Sequence, residues 1–548
     1  MSPRAVATGL LASAVLAAAQ PLAQHDPLRT RAEISNYEET SSYADVERVV
    51  GALSASPLVH LESFGRSEEG RELPLLVISQ PKVDTPAAAR KLGRPLVFVQ
   101  ANVHGGEVEG KEAVLMLARR LIDGDLTPLT RQLVVMIAPI YNADGNERRL
   151  GHNRPEQNGP IAGVGTRENA RGLDLNRDYM KLESAEARAL VGLLNRWDPH
   201  VVADLHTTNG SYHGYHLTYA PALTPNADPR LVAFAREMLL PGVRTALLDG
   251  HGYRSYFYGN FASELGGGRE TARVDPAHPG DTVWRTFDHR PRFGNNYVGL
   301  RNRIAVLSEA YSYLDFQGRV TVTSAFVQEL LRACARQATR ILTLTAQADR
   351  VFTARSRRAK PIDLGVEFLI QPNPELSTIL VGDVAGKPNP RTGALMRQMT
   401  ELAAPVRMKE YGTFAVARAR PLPAGWVIPR GLAESPRMAA ALDRLRWHGI
   451  DTETLERATQ LDVERFVIQS ITSADQPFQG HHEARLTVTM EAAALSVDPG
   501  SVLITAEQRL ARLAFYLLEP DSDDGLVTWN IIGEGLAAGQ GFPVYRVR

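Results

Sequence analysis

Between residues 95 and 345, short apolar runs alternate with stretches of helical periodicity. The apolar runs, which have the length of strands, cover residues 95–101, 133–139, 200–205 and 304–307. The helical stretches that follow them cover residues 110–122, 184–194, 231–247 and 320–345. Continuous apolar strands that alternate with helices indicate a mostly parallel sheet covered by helices on both faces. The sequence therefore predicts an α/β domain.

The flanking regions have other patterns. Residues 36–53 predict a capped helix, and residues 61–78 predict two strands joined by a glycine-bearing turn. After about residue 355 the alternation stops, and short alternating runs begin, interrupted by a predicted helical hairpin near 435–459. A chain of 548 residues is too long for one ordinary core. We therefore expect an α/β domain over 25–355 and a separate β-rich domain of unknown role over 360–548.

The first residues have the pattern of an export signal. Arg4 supplies a positive charge, residues 5–19 form an apolar run, and Ala17-Ala18-Ala19 offers a cleavage site. The run is short for a membrane span, which needs about 20 residues. We expect residues 1–19 to be a signal peptide, and the mature protein to be exported, periplasmic or extracellular, and not membrane-bound.

The positive and negative charges of the chain are balanced. Lys and Arg number 61, and Asp and Glu also number 61. Nothing in this balance favours a nucleic acid or an anionic membrane as a partner.

The single cysteine, Cys334, excludes an internal disulfide. Composition leaves the oligomeric state open.

Polar residues follow three of the predicted strands at the point where each strand ends. His104 and Glu107 follow the first, His206 follows the third, and Glu309 follows the fourth. The carboxyl ends of parallel strands meet at one edge of a sheet, where active sites gather. Imidazole and carboxylate are ligands that Zn²⁺ prefers, and a catalytic zinc keeps one open position for water. The pattern predicts a zinc site at this edge.

A second polar motif lies between these strands. In Gly172-Leu-Asp-Leu-Asn-Arg177, alternation of Leu with polar residues places Asp174 and Asn176 on one side, as in a strand that Arg177 would end. A solvated turn with an ion pair is the simpler alternative. Glu309 lies in an apolar environment, where a carboxylate is costly unless it is paired, neutral or used in chemistry.

The four motifs together resemble the zinc carboxypeptidase family. They are His104-x-x-Glu107, Asp174-x-Asn176-Arg177, His206 and Glu309, in the family's order, within a resemblance that covers roughly residues 62–347. The resemblance implies a three-layer α/β/α fold with a mixed eight-stranded sheet. Nothing after about residue 360 resembles the family's catalytic domain.

The resemblance also implies a ligand set. His104, Glu107 and His206 would hold one Zn²⁺ per catalytic domain. Asp174 would accept a hydrogen bond from the free ring nitrogen of His104, which fixes the imidazole tautomer.

Other residues would carry the reaction. The resemblance implies that Glu309 takes a proton from a zinc-activated water and later passes it to the departing amine. Arg167 is the best match to the arginine that stabilises the oxyanion, with Arg154 as its competitor. Asn176 and Arg177 would bind the terminal carboxylate of the substrate. The family's capping tyrosine has three candidates, which are Tyr256, Tyr258 and Tyr297, and no specificity-pocket residue is identifiable.

Three functions remain open on the sequence alone. The first is a zinc-dependent peptidase that hydrolyses a peptide bond near a free C-terminus. The second is a zinc amidase or deacylase on the same scaffold, acting on cell-wall peptides or N-acyl amino acids. The third is an inactive binding module, which the presence of all three ligands and of Glu309 disfavours.

Overall fold

The computed structural model describes residues 26–208, 210–275, 279–353 and 362–548. The predicted signal peptide, residues 1–19, lies outside these ranges. Within them, no helix combines the length and the apolar character needed to cross a membrane.

The strands of the first 353 residues build the central sheet and a smaller sheet beside it. They are β1 (Val59–Arg66), β2 (Glu72–Ile78), β3 (Leu96–Ala101), β4 (Val134–Ala138), β5 (Val201–Thr208), β6 (Leu217–Ala220), β7 (Ser255–Phe257), β8 (Asn260–Ser263), β9 (Arg269–Thr271), β10 (Thr282–Arg285) and β11 (Ile304–Tyr311). An eight-stranded sheet has the order β1-β2-β4-β3-β5-β11-β6-β7. Strand β3 pairs in parallel with β4 and β5, β5 with β11, and β6 with β7, whereas the other pairs are antiparallel. The predicted mixed eight-stranded sheet is confirmed.

Helices connect these strands. They are α1 (Arg31–Ile34), α2 (Tyr43–Ser54), α3 (Pro86–Lys91), α4 (Glu109–Ile122), α5 (Ala143–Glu147), α6 (Ala185–Trp197), α7 (Pro229–Phe234), α8 (Leu240–His251), α9 (Gly294–Leu300), α10 (Phe316–Arg336) and α11 (Ala338–Thr353). A π-helical turn, Ala235–Leu239, joins α7 to α8. Strands β3 and β4 are buried along their whole length. This burial agrees with the continuous apolar runs in the sequence.

Two strands are longer than predicted. Strand β5 was expected to end at residue 205 and β11 at 307, but they continue to Thr208 and Tyr311. His206 and Glu309 therefore lie inside strands and not beyond them. The reason is that backbone pairing continues where the side chains become polar: Glu309 is the register partner of His206.

Two helix predictions were also inaccurate. The helix expected over 36–53 begins only at Tyr43, because Asn36 and Tyr37 have positive φ angles and Ser42 caps the helix with Asp45. The helix expected over 320–345 begins at Phe316 and is divided at Gln337 into α10 and α11.

The C-terminal region is rich in strands, as predicted. They are β12 (Asp363–Gln371), β13 (Ser377–Val381), β14 (Val384–Pro388), β15 (Leu395–Met399), β16 (Ala404–Met408), β17 (Glu410–Tyr411), β18 (Thr413–Pro421), β19 (Gly425–Ile428), β20 (Glu453–Thr454), β21 (Thr459–Ser473), β22 (Ala484–Val497), β23 (Val502–Thr505) and β24 (Tyr545–Val547). A six-stranded sheet has the order β20-β23-β19-β24-β21-β22. The helices are α12 (Arg430–Ala433), α13 (Pro436–His448) and α14 (Ala511–Leu518).

The helical hairpin expected near 435–459 is wrong. A single helix, α13, occupies its first half and is capped by Gly449, whose φ of 79° lies in the left-handed region that favours glycine. The chain then forms β20, which pairs with β23. The tertiary partner strand overrides the local helical pattern.

The C-terminal region and the α/β region share one apolar core. Trp426 and Phe515 are buried in the same cluster as the strands of the central sheet. The junction is also polar: Asn195 donates to the carbonyl of Trp447 at 2.9 Å, and His448 contacts the carbonyl of Met180 at 3.0 Å. The division into domains at 355–360 stays a prediction, and its boundary residues lie outside the described ranges.

Candidate active site

A tight turn after β3 places His104 and Glu107. Asn102 has a φ of 61°, and its side-chain amide donates to the carbonyls of His104 and Glu107, each at 3.2 Å. Asparagine tolerates this left-handed backbone better than most residues. At Gly105 an added Cβ would lie 2.4 Å from the backbone carbon of Gly145, so the turn packs directly on a neighbouring loop. These contacts hold the two side chains at the end of the strand.

The three predicted metal ligands meet at one point. One carboxylate oxygen of Glu107 lies 2.9 Å from Nδ1 of His104, and the other lies 2.9 Å from Nδ1 of His206. The candidate ligand atoms are all within 4.8 Å of one another, and the three side chains are buried. Two imidazole nitrogens and one carboxylate are a common donor set of catalytic zinc sites. These residues therefore fit a zinc ion.

A carboxylate lies against the outer ring nitrogen of each histidine. Asp174 Oδ1 is 3.1 Å from Nε2 of His104, and Asp204 Oδ2 is 3.0 Å from Nε2 of His206. Such carboxylates orient metal-binding imidazoles and strengthen them as donors. The sequence analysis missed Asp204. Its signal was the spacing of two residues along β5, which places Asp204 and His206 on the same face of the strand.

The segment around Asp174 is not a strand. Leu175–Arg177 form one turn of 3-10 helix, and the carboxylate of Asp174 caps it by accepting from the backbone N–H of Asn176 at 2.9 Å. The prediction of strand-like alternation was wrong, because a local side-chain to backbone hydrogen bond favours a turn. The structure nevertheless directs Asp174 toward His104.

The clustered charges shift the pKa values of the ligands in opposite directions. Burial alone would raise the pKa of Glu107, but His104 and Arg154 outweigh it and hold this pKa well below its ordinary value. Burial opposes the charged form of His206, but Asp204 and Glu107 raise its pKa well above the ordinary value. Both shifts favour the charged forms, a carboxylate beside a protonated imidazole. Zinc binding would displace such protons.

Glu309 faces the same cleft from the neighbouring strand. The pairing of β5 with β11 sets Glu309 beside His206. Desolvation raises the pKa of Glu309 to about 8. The charge of Glu107 also raises this pKa, whereas His206 lowers it. A carboxylate with a raised pKa is a stronger base once it has lost its proton, and this property suits general acid–base chemistry.

Both candidate oxyanion arginines reach the cleft. Arg154 Nη1 lies 2.8 Å from Glu107 Oε1. Arg167 pairs through Nε and Nη2 with Asp174 Oδ2, at 3.0 and 2.9 Å, while its Nη1 lies 3.4 Å from Nδ1 of His104. The two guanidinium groups therefore both lie beside the candidate zinc ligands.

Arg177 lies at another part of the cleft and is only partly paired. Its guanidinium stacks 3.9 Å from the ring of Phe293, and Nη1 donates to the carbonyl of Asn176 at 2.8 Å. The nearest carboxylate oxygen, on Asp174, is 4.0 Å away. Burial lowers the pKa of Arg177, although arginine stays charged in proteins. A partly buried, incompletely paired guanidinium favours an anionic ligand.

The cleft has a volume of about 250 Å³. Of the three candidate tyrosines, Tyr258 lines it, whereas the hydroxyl of Tyr256 donates to Glu410 and that of Tyr297 contacts His448. The remaining wall combines apolar and polar side chains and contains Phe287, Phe293, Leu307, Asn260, Glu270 and Asn295. This wall is the candidate specificity pocket that the sequence did not identify.

One residue of the C-terminal region reaches this site. The side-chain carbonyl of Gln479 accepts from the backbone N–H of Asp174 at 2.8 Å. Nearby, Nε2 of His481 lies 2.9 Å from Glu183. No local pattern could have identified Gln479, because 305 residues separate it from its partner.

The comparisons with known proteins agree with this geometry. Residues 51–238 match the family model described as zinc carboxypeptidase, and this stretch contains His104, Glu107 and His206. The chain is 22% identical over 512 residues to carboxypeptidase 2 of Trichophyton rubrum, covering 91% of this chain and 84% of that protein. It is 30% identical over 189 residues to carboxypeptidase D of Mus musculus, covering 30% of this chain and 14% of that protein.

Among solved structures, carboxypeptidase A of Helicoverpa armigera matches with a TM-score of 0.40 and 16% identity, covering 55% of this chain and 75% of that one. The sequence matches and the buried donor set carry the assignment. Residues 51–238, which contain the three candidate ligands, therefore match a zinc carboxypeptidase domain.

Proposed function

We propose that this protein is a zinc-dependent carboxypeptidase that hydrolyses the peptide bond next to a free C-terminus. The observation that carries the proposal is one cleft that joins the donor set of His104, Glu107 and His206, the carboxylate of Glu309, and the partly paired guanidinium of Arg177. The first set suits a metal, the second suits proton transfer, and the third suits a carboxylate on the substrate.

Each residue has a distinct task in the reaction. When bound, Zn²⁺ supplies a Lewis acid and favours deprotonation of water. Glu309 accepts the proton of the attacking water and donates it to the nitrogen of the departing amine. Asp174 and Asp204 hold the imidazoles of His104 and His206 in position.

The arginines bind the negative charges of the substrate. Arg154 and Arg167 lie beside the candidate ligands, where they stabilise negative charge that develops on the carbonyl oxygen. Arg177 holds the terminal carboxylate of the substrate, and the adjacent Asn176 belongs to the same binding site. Because only 19% of the Arg177 side chain is exposed, we expect its contact with a carboxylate to be stronger than an exposed ion pair.

A substrate panel tests the proposal. It compares N-blocked dipeptides that have a free C-terminus, the same peptides with an amidated C-terminus, and N-acyl amino acids, with and without added zinc. We expect hydrolysis of the free-acid peptides, and its loss after chelation with recovery by zinc. Activity on N-acyl amino acids alone would favour the deacylase alternative, and no activity with a full zinc content would favour the binding module.

We also propose that the protein is exported. The proposal rests on the sequence of residues 1–19, which has the charge, the apolar run and the small residues of a signal peptide. N-terminal sequencing of protein from the periplasm or the culture medium should find Gln20 as the first residue. Retention of the uncleaved chain in the cytoplasm would contradict export.

A further inference from the structure

A second and larger cavity, of about 650 Å³, adjoins the catalytic cleft. The two have Arg154 and Arg167 in common, so these arginines lie where the cavities meet, on that side of the candidate zinc site. The volume lies in the range of about 300–1,000 Å³ that is typical of ligand sites. Its other walls include Tyr212, Tyr313 and Arg397.

One wall of this cavity comes from the C-terminal region. Arg397 lies on β15, which pairs with β14 in a hairpin. Backbone hydrogen bonds fasten this hairpin to the α/β region: the N–H of Arg397 donates to the carbonyl of Glu156, and the N–H of Met399 to that of Tyr313, each at 2.8 Å. The N–H of Gly382, just before β14, donates to the carbonyl of Tyr212 at 2.9 Å. The hairpin is therefore a fixed part of the cavity.

The position of the cavity indicates which part of a substrate it would hold. Arg177 lines the catalytic cleft but not this cavity, and the shared residues are Arg154 and Arg167. If the terminal carboxylate lies at Arg177, the chain on the other side of the scissile bond extends past Arg154 and Arg167. It then enters the second cavity. The cavity thus suits residues that precede the scissile bond.

The charge of the cavity favours an acidic ligand. Arg154, Arg167 and Arg397 line it, together with one acidic residue, Glu156. Arg154 and Arg167 are already paired with carboxylates of the catalytic cleft. Arg397 pairs with Glu156 at 3.1 Å, but the Glu156 side chain is 54% exposed, and exposed pairs contribute little.

Arg397 also has capacity for another partner. Its Nε is buried and has no hydrogen-bond partner among the described residues. Its guanidinium lies 5.8 Å from the ring of Tyr212, a contact that orients the side chain. The pair with Glu156 uses Nη2, and a planar guanidinium has further donors that suit a second carboxylate.

We propose that the C-terminal region completes the substrate cleft, and that Arg397 on its β14–β15 hairpin selects substrates with an acidic side chain shortly before the scissile bond. The proposal rests on the proposed carboxypeptidase function. It assigns to the C-terminal region a role in specificity.

Matched peptides test this selection. Two series of N-blocked peptides share one C-terminal residue and carry either Glu or Gln at the first or the second position before the scissile bond. For wild-type protein we expect kcat/KM to be about tenfold higher for Glu than for Gln at one of these positions, mainly through KM. In Arg397→Gln this ratio should fall to near one.

Two further variants separate recognition from stability. Arg391 lies in the turn of the same hairpin and pairs with Glu38 of the α/β region at 2.8 Å, yet it does not line the cavity. Arg391→Gln is therefore a matched control and should keep the wild-type ratio. Glu156→Gln removes the competing carboxylate and should raise the Glu to Gln ratio.

The possible failures are distinguishable. Wild-type protein that hydrolyses the peptides without a preference for Glu, or Arg397→Gln and Arg391→Gln with equal ratios, would overturn the role of Arg397 and leave the carboxypeptidase function intact. An equal loss on both peptides in Arg397→Gln would likewise assign this residue to the scaffold. If wild-type protein with bound zinc hydrolyses none of these peptides, both proposals fail.

Discussion

At the scale of single residues, the candidate site consists of donors that each have a charged partner nearby. Asp174 and Asp204 lie on the outer nitrogens of His104 and His206, and Arg154 lies on Glu107. Burial makes each of these charges costly unless it is paired, so the cluster is stable only as a whole. Glu309 and Arg177 are not members of these pairs. Substitutions of these two residues can therefore test their separate tasks without breaking the cluster.

Glu309→Gln should keep zinc but lose activity. Glutamine is nearly isosteric but cannot accept the proton, and general acid–base catalysis commonly contributes about 10²–10⁴-fold. We expect kcat to fall by about 10² or more, with an unchanged metal content by elemental analysis. Loss of zinc in this variant would instead show that Glu309 is a ligand.

Arg177→Met should act selectively on substrates with a free carboxylate. Removing one partner of a buried charge pair costs about 2–5 kcal/mol, so kcat/KM for a free-acid peptide should fall by at least about 30-fold. An amidated peptide never makes this pair, and its slow hydrolysis should hardly change. The kcat/KM values of the two substrates should therefore converge. Equal losses on both substrates would place Arg177 in the scaffold or in transition-state binding, against an exopeptidase.

At the scale of elements, the turn between β3 and α4 sets the position of two ligands. It packs so closely on the loop at residues 145–146 that Gly105 has no room for a side chain. The register of β5 and β11 sets the other half of the site, because it pairs His206 with Glu309. The geometry of the cleft therefore depends on backbone packing as well as on the ligands themselves.

Gly105→Ala should destabilise the protein and weaken zinc binding. The added Cβ would meet backbone atoms at 2.4 and 2.6 Å, and such overpacking costs typically about 1–3 kcal/mol. Chemical denaturation measures the free energy of unfolding, and a metal titration measures zinc affinity. Gly242→Ala in α8 is the control, since its Cβ would meet nothing within 4 Å and should be neutral or stabilising. A Gly105→Ala protein as stable as this control would refute the close packing.

At the scale of the whole molecule, the C-terminal region contacts the candidate site. It supplies Gln479 behind Asp174 and Arg397 beside the second cavity. It also covers apolar surface of the α/β region, since Trp426 and Phe515 lie in the shared core. The C-terminal region and the α/β region thus pack together, and both contribute to the proposed binding of substrate.

A chain that ends at Thr353 should not fold like the full protein. Truncation would expose the surface that α13, α14 and their neighbours cover, and large apolar patches on a soluble protein promote association. We expect a broad unfolding transition and aggregation, measured by calorimetry and light scattering. A monomeric fragment with a sharp transition would instead support the separate domains predicted from the sequence.

Local sequence patterns predicted much of the fold and of the candidate site. Apolar runs and helical periodicity are short-range properties, and they predicted the α/β sheet and its helices. The motif spacings predicted that His104, Glu107, His206 and Glu309 would meet, since strand ends in such a sheet share an edge. The residues that carry the proposed chemistry were therefore accessible from the sequence alone.

Tertiary structure decided the features that depend on distant partners. Strands β5 and β11 continue past their apolar runs because each pairs with the other, and β20 forms where a helix was expected because β23 is beside it. Gln479 and Arg397 reach the site only through the packing of the C-terminal region. Contacts across hundreds of residues leave no local pattern, because the energy that favours them arises only when both surfaces are folded.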